Sequence, residues 1–215
     1  MIDDRHRERR RSKPPMSIPR APKPAKLVIG LLVRDKPLLQ TAAAELERCF
    51  GPADVISPWF PFDYTDYYEK EMGRPLKRRM ICFERLVGQE TLPAAKRATN
   101  RIEAGLAVDG RRRVNIDPGL LTLERFVLAT GKNYSHRIYI GQGIFADLTL
   151  MFRDGRFVPL PWTYPDYAEA PMRHFLAEVR DRYRFELRRQ PEASNGSGEH
   201  TEGAALFTDA GEDLR

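Results

Sequence analysis

Eight residues near the start of the chain, Lys26 to Val33 (KLVIGLLV), form an almost unbroken apolar run. It lacks the alternation of a half-exposed strand and the length of a helix, so it reads as a buried strand. Whatever the chain folds into must cover this segment. Lys36 to Phe50 follows at helical period, with Leu39, Ala42, Leu46 and Cys49 on one face, and Gly51-Pro52 stops it. Asp54 to Ser57 reads as a short strand ended by Pro58, and a long connection then runs from Trp59 to Pro75. Lys77 to Val87 is predicted as a strand holding Met80, Ile81, Cys82 and Phe83. Thr91 is a candidate N-cap for a helix with Leu92, Ala95, Ile102 and Leu106 on one stripe. Asp109-Gly110 makes a turn before a strand over Arg112 to Asp117.

That order, β-α-β-β-α-β, is the ferredoxin-like pattern, which other α+β topologies share. The remaining chain extends it. Leu120 to Thr130 is predicted as a helix. Arg137 to Ile140 and Phe145 to Phe152 are predicted as strands, separated at Gly141 and Gly143. Asp154-Gly155 signals a hairpin returning through Arg156 to Leu160. Pro171 to Leu187 is an amphipathic helix turning Met172, Phe175, Leu176, Val179 and Tyr183 inward. The expected fold class is α+β: a ferredoxin-like core with a C-terminal β-hairpin and helix.

Composition sets the limits of that domain. Residues 1–25 are rich in proline and arginine, and residues 189–215 carry Gly, Ser and acidic residues. Neither end has the apolar content to offset ordering entropy, so both are expected to be disordered around one domain at 26–188. The net charge of +6 is unevenly placed: residues 1–26 hold nine basic and three acidic residues, residues 191–215 one basic and six acidic. A basic arm, with Lys77-Arg78-Arg79 and Arg111-Arg112-Arg113, suits nucleic acid, or it is a solvated tail. The two cysteines, Cys49 and Cys82, sit among apolar neighbours, and no Cys/His spacing suits zinc. No apolar stretch approaches bilayer length and no apolar signal core follows the N-terminus, so no membrane partner is expected and a cytoplasmic location is. Oligomeric state is not legible.

Chemistry concentrates in three places. The connection Pro61 to Gly73 is dense in carboxylates and phenols; Tyr64 and Tyr67 line a pocket or pack the connection onto the sheet, and Asp63 and Asp66 are candidate acceptors or hard-metal ligands. Asn115, Asp117 and Gly119 surround a predicted strand end, where Pro118-Gly119 forces a turn and open sheets commonly place ligand groups. Lys132, Ser135, His136 and Arg137 gather cations suited to phosphate or carboxylate. In the expected site Lys132, His136 and Arg137 hold an anion, and Asp117 with Asp63 or Asp66 orients Mg²⁺ or a water. Asp117 and His136 are the catalytic candidates, and Asp66 and Asp117 the metal candidates. Tyr64, Tyr67, Asn115, Gly119, Ser135 and Gln142 complete the binding set. Gly141-Gln142-Gly143 opens like a dinucleotide fingerprint but lacks its third glycine. A P-loop is excluded, because Phe126 stands where its first glycine belongs and Asn133 follows Lys132.

In combination, PWFPFDYTDYYEKEMG, RRVNIDPGLLTLERFVLATGKNYSHRIYIGQGIFADLTLMF and FVPLPWTYPDY resemble an uncharacterised bacterial family, the domain-of-unknown-function family numbered four-four-one-six. The resemblance spans about residues 24–188 and supplies no catalytic residues to carry over. Some members of that family bear a GTP-binding label; this chain has neither a P-loop nor an Asn-Lys-x-Asp guanine reader. The expectation for function is binding, with Mg²⁺-assisted turnover as an extension, of a small anionic ligand, phosphate- or nucleotide-like, in one polar cleft. The alternative is a non-catalytic nucleic-acid module or scaffold.

Overall fold

A computed structural model describes Ser17 and residues 19–189. The expectations for the two tails therefore lie almost wholly outside the described residues. The apolar run becomes β1 (Ala25–Val33), and every one of its residues is buried. Burial on both faces is why its sequence does not alternate. α1 (Lys36–Phe50) starts where Asp35 Oδ1 accepts the Leu38 N–H at 3.0 Å. β2 (Ala53–Ile56), β3 (Phe60–Phe62) and a single turn of helix, α2 (Glu69–Met72), lead to β4 (Leu76–Val87). A 3₁₀ turn precedes α3 (Leu92–Gly105), and β5 (Val114–Leu121) completes the first half. β6 (Arg125–Thr130), β7 (Arg137–Gly141), β8 (Ile144–Arg153) and β9 (Arg156–Pro159) form the second half, followed by α4 (Pro165–Ala168) and α5 (Ala170–Arg189).

The fold is α+β, and the nine strands of the described residues make one antiparallel sheet in the order β2-β4-β1-β5-β6-β8-β7, with β3 on β4 and β9 on β8. Leu27, Ile29, Leu31 and Val33 of β1 pack with α1 and α3 on one face. Val28 packs with Met80, Cys82 and α5 residues Phe175, Leu176 and Val179 on the other. Lys26 opens β1 fully buried, bonded to Asp54 at 2.7 Å and Glu186 at 2.9 Å, which ties β2 and the end of α5 to the strand.

Two expectations are corrected. Leu120 to Thr130 is not a helix: β5 runs to Leu121 and returns through a turn closed by Thr122 N–H to Arg125 O into β6. The segment Asn115 to Gly119 is not a strand end. It lies within β5, with Asp117 opposite Gly30 and Pro118 opposite Ile29 of β1. Gly119 is a packing residue there, since a Cβ would meet the Phe126 ring and Val127 O at 2.8 Å.

The pairing of β5 with β6 covers only Gly119–Leu121 against Leu128–Phe126. Beyond it β6 continues along β8 to Thr130, while β5 continues along β1 to Val114. The sheet therefore splays between Val114–Pro118 and Ala129–Thr130. Pro118 contributes directly, because successive residues point their backbone groups to opposite sides and Pro118 lacks a donor on the β6 side. The next residue with that orientation, Ile116, has its bonds made by side chains of α3. Glu103 Oε1 accepts the Ile116 N–H at 2.6 Å, and Lys96 Nζ donates to Ile116 O at 2.8 Å. A polar backbone edge inside the molecule requires such partners.

Candidate functional site

The splayed seam opens into a cleft of about 640 Å³, within the range of small-molecule sites. Its floor lies where β4, β1 and β5 run side by side. Arg78 shares the inward parity of Met80 and Cys82, and Gly30 on β1 leaves the space that Arg78 occupies. A Cβ on Gly30 would stand 2.9 Å from Arg78 Nη1 and 2.8 Å from the Tyr167 hydroxyl. Arg78 is almost fully buried. Its Nε lies 2.5 Å from Asp166 Oδ2, its Nη1 donates to the Tyr167 hydroxyl at 3.2 Å, and Asp117 Oδ2 is 3.6 Å away. Burial opposes the guanidinium charge, yet Tyr167, Asp166 and Asp117 outweigh it and keep its pKa above the usual arginine value. Phe62 and Tyr167 present ring faces to the same group at 5.4 and 5.0 Å.

Lys96 and Glu103 reach the cleft from α3 through the seam. Lys96 Nζ lies 3.5 Å from Asp117 Oδ1 and 4.0 Å from Glu103. Burial raises the Glu103 carboxyl above its ordinary range, with Lys96 acting against the shift. Arg112 closes this end, donating through Nε and Nη2 to Glu71 at 3.0 and 2.7 Å and through Nη1 to Asn115 Oδ1 at 3.2 Å. Asn115 in turn donates to Asp117 Oδ2 at 2.6 Å. The walls are phenolic, with Tyr64, Tyr67 and Tyr68 from the long connection facing Tyr164 and Tyr167 from α4 and the residue before it. Burial, with Asp117 adding, pushes the Tyr68 hydroxyl up to about 12.

The mouth is set by the β6–β7 connection. Arg137 Nε donates to buried Asp147 at 2.9 Å, its Nη1 to Lys132 O at 2.9 Å and its Nη2 to the Tyr164 hydroxyl at 2.9 Å. It thus clips the Lys132 backbone to the opposite wall. Lys132 Nζ projects at the rim, donating to the Tyr67 hydroxyl at 3.1 Å, and this contact lowers the Tyr67 pKa.

Of the residues expected from sequence, Tyr64, Tyr67, Asn115, Asp117, Lys132 and Arg137 line this cleft. His136 does not: its ring stacks on Trp162 at 5.0 Å, and its Nε2 lies 3.2 Å from Asp147 Oδ2. Asp63, Ser135 and Gln142 are exposed and do not line the cleft either. Gly119 packs under Phe126. Asp66 is paired with Arg74 at 2.7 Å and is likewise not among the lining residues, so the structure does not bring Asp66 and Asp117 together as one metal site. Among the described residues no group of three or more His, Cys, Asp and Glu side chains is arranged to hold a metal ion.

Sequence reasoning missed Arg78, Lys96, Asn100 and Glu103 as members of the site. Their signals were present. Arg78 follows the inward alternation of β4. Lys96 and Glu103 fall beside the apolar stripe of α3, where buried polar residues are informative. No helix among the described residues is long and apolar enough to cross a membrane. No curated protein and no solved structure matches the chain. A family model described as a domain of unknown function (DUF4416) matches residues 23–183.

Proposed function

The chain belongs to the DUF4416 family, and we propose that its domain binds a small anionic, nucleotide-like ligand in the seam cleft. One observation carries this reading. Arg78, Lys96, Arg112 and Arg137 each have a carboxylate within 4.0 Å, from Asp166, Asp117, Glu71 and Asp147 respectively. Lys132 has none among the described residues. Its ammonium donates to the Tyr67 hydroxyl, at the mouth of a cleft walled by aromatic rings. An uncompensated ammonium there suits an anion, and phenolic walls suit a planar group.

The same reading takes the order β2-β4-β1-β5 as a ferredoxin-like core whose seam with the C-terminal strands makes the site. It places the protein in the cytoplasm, in keeping with the free thiols of Cys49 and Cys82. Asp117, partly exposed and within the cleft, offers its carboxylate to the ligand. The nucleic-acid alternative draws less support, because Arg78 is buried beneath Tyr167 and Arg112 is held by Glu71.

A thermal-shift panel of nucleoside 5′-monophosphates, sugar phosphates and inorganic phosphate tests the reading. At least one compound is expected to raise the melting temperature of the wild type and to lose most of that effect with Lys132→Ala. Lys132 is exposed, so the unliganded variant should melt near the wild type. A panel that stabilises neither protein, or stabilises both equally, contradicts the proposal.

A further inference from the structure

Resting on that reading, we infer a direction of binding and a ligand class: an uncharged heteroaromatic base enters the cleft first, and its phosphate stays outside at Lys132. The argument begins with charge. The floor gathers three cations, Arg78, Lys96 and Arg112, against four carboxylates, Glu71, Glu103, Asp117 and Asp166, within one chain of contacts. Every cation there already has a carboxylate neighbour. A phosphate brought to this floor would give up its hydration among cations that carboxylates already engage, which is unfavourable in a partly buried site. A neutral ring carries no such penalty.

Hydrogen-bonding capacity points the same way. Among the described residues Asp117 Oδ1 is met only by Lys96 at 3.5 Å, a long contact, so the carboxylate retains acceptor capacity. Asn100, one α3 turn beyond Lys96, is exposed and lines the cleft, and its side-chain amide makes no hydrogen bond to another of the described residues. The Asp117 acceptor and the Asn100 amide line one cleft, and together they offer what the mixed donor and acceptor edge of a nucleobase needs. The phenolic walls supply faces on which such a ring stacks. The anion is left with Lys132, the cation at the mouth.

Calorimetric titration of the full chain separates the ligand's parts. The probes are the four common nucleoside 5′-monophosphates, the matching nucleosides, ribose 5-phosphate and inorganic phosphate, each against wild type, Lys132→Ala and Asn100→Ala. One monophosphate is expected to bind, with its nucleoside weaker by about tenfold to a hundredfold, the loss of one charge-assisted contact. Lys132→Ala should bring the monophosphate down to its nucleoside and leave the nucleoside unchanged. Asn100→Ala should weaken both alike. Ribose 5-phosphate and inorganic phosphate should not compete. If ribose 5-phosphate or inorganic phosphate binds as well as any monophosphate, the direction of binding is wrong while the anion site stands. Equal loss of nucleoside and monophosphate with Lys132→Ala also overturns the direction. Binding by none of the probes removes the site reading itself, and the inference with it.

Discussion

At the scale of the residue, the cleft depends on an absent side chain. Gly30 faces Asp117 across the β1–β5 ladder, and its missing Cβ lets Arg78 Nη1 and the Tyr167 hydroxyl approach the strand. Both groups are the ends of side chains held by other partners, so neither yields freely. Gly30→Ala is therefore expected to cost about 1–3 kcal/mol of stability, the usual range for overpacking, in urea denaturation, and to weaken ligand binding. An unchanged midpoint would show that Arg78 moves aside without consequence. Residue types at the mouth were legible to this extent: Tyr67, Lys132 and Arg137 were expected to share one polar cleft, and all three line the same cleft. Their roles were not, because role depends on the partner. Nothing in the sequence near Arg137 reveals that Asp147 holds it, since the pairing is made by the β7–β8 register. His136 is drawn to the same carboxylate and to Trp162, which occupies a ring that looked free.

At the scale of the element, the decisive feature is the short β5–β6 ladder. Pro118 lacks a donor where the strands part, and α3 supplies Glu103 and Lys96 to the buried backbone groups of Ile116. Glu103 also gives the seam a pH dependence. Burial raises its pKa above the ordinary 4.5, so the folded chain retains this proton to higher pH than the unfolded chain. Its contribution to stability is greatest below 4.5 and declines as pH rises through the raised folded value. Glu103→Gln keeps an acceptor for Ile116 N–H but cannot ionise. The stability of the wild type relative to this variant should fall from pH 4.5 toward neutrality, read from urea midpoints. A relative stability that rises over that interval would contradict the burial of Glu103 at the seam. The hairpin itself was misread as a helix for a physical reason. Nearly all of Val114–Leu121 is buried, and apolar residues continue into Phe126, Val127 and Leu128, so no period of two survives to distinguish strand from helix. Elements with one solvent face, such as α1 and α5, kept their period and were read correctly.

At the scale of the whole molecule, the cleft exists because two halves of one sheet diverge while sharing β5 and β6. The first half packs α1 and α3 on one face, and the second brings α4 and α5 to the other. Sequence order made the α+β class readable, since each strand and helix is a local segment. The seam was not readable, because it arises from where long-range registers end: β5 follows β1 to Val114, and β6 follows β8 to Thr130. The central claim is that this seam is a ligand site with Lys132 at its mouth. Titrating ¹⁵N-labelled protein with nucleoside 5′-monophosphates, and following amide shifts, tests it most directly. Shifts are expected to concentrate in Tyr64–Tyr68, Asn100, Asn115–Asp117 and Thr130–Lys132, segments distant in sequence that meet only at the cleft. Shifts confined to Arg111–Arg113 or α1, or none at any concentration tested, would contradict it.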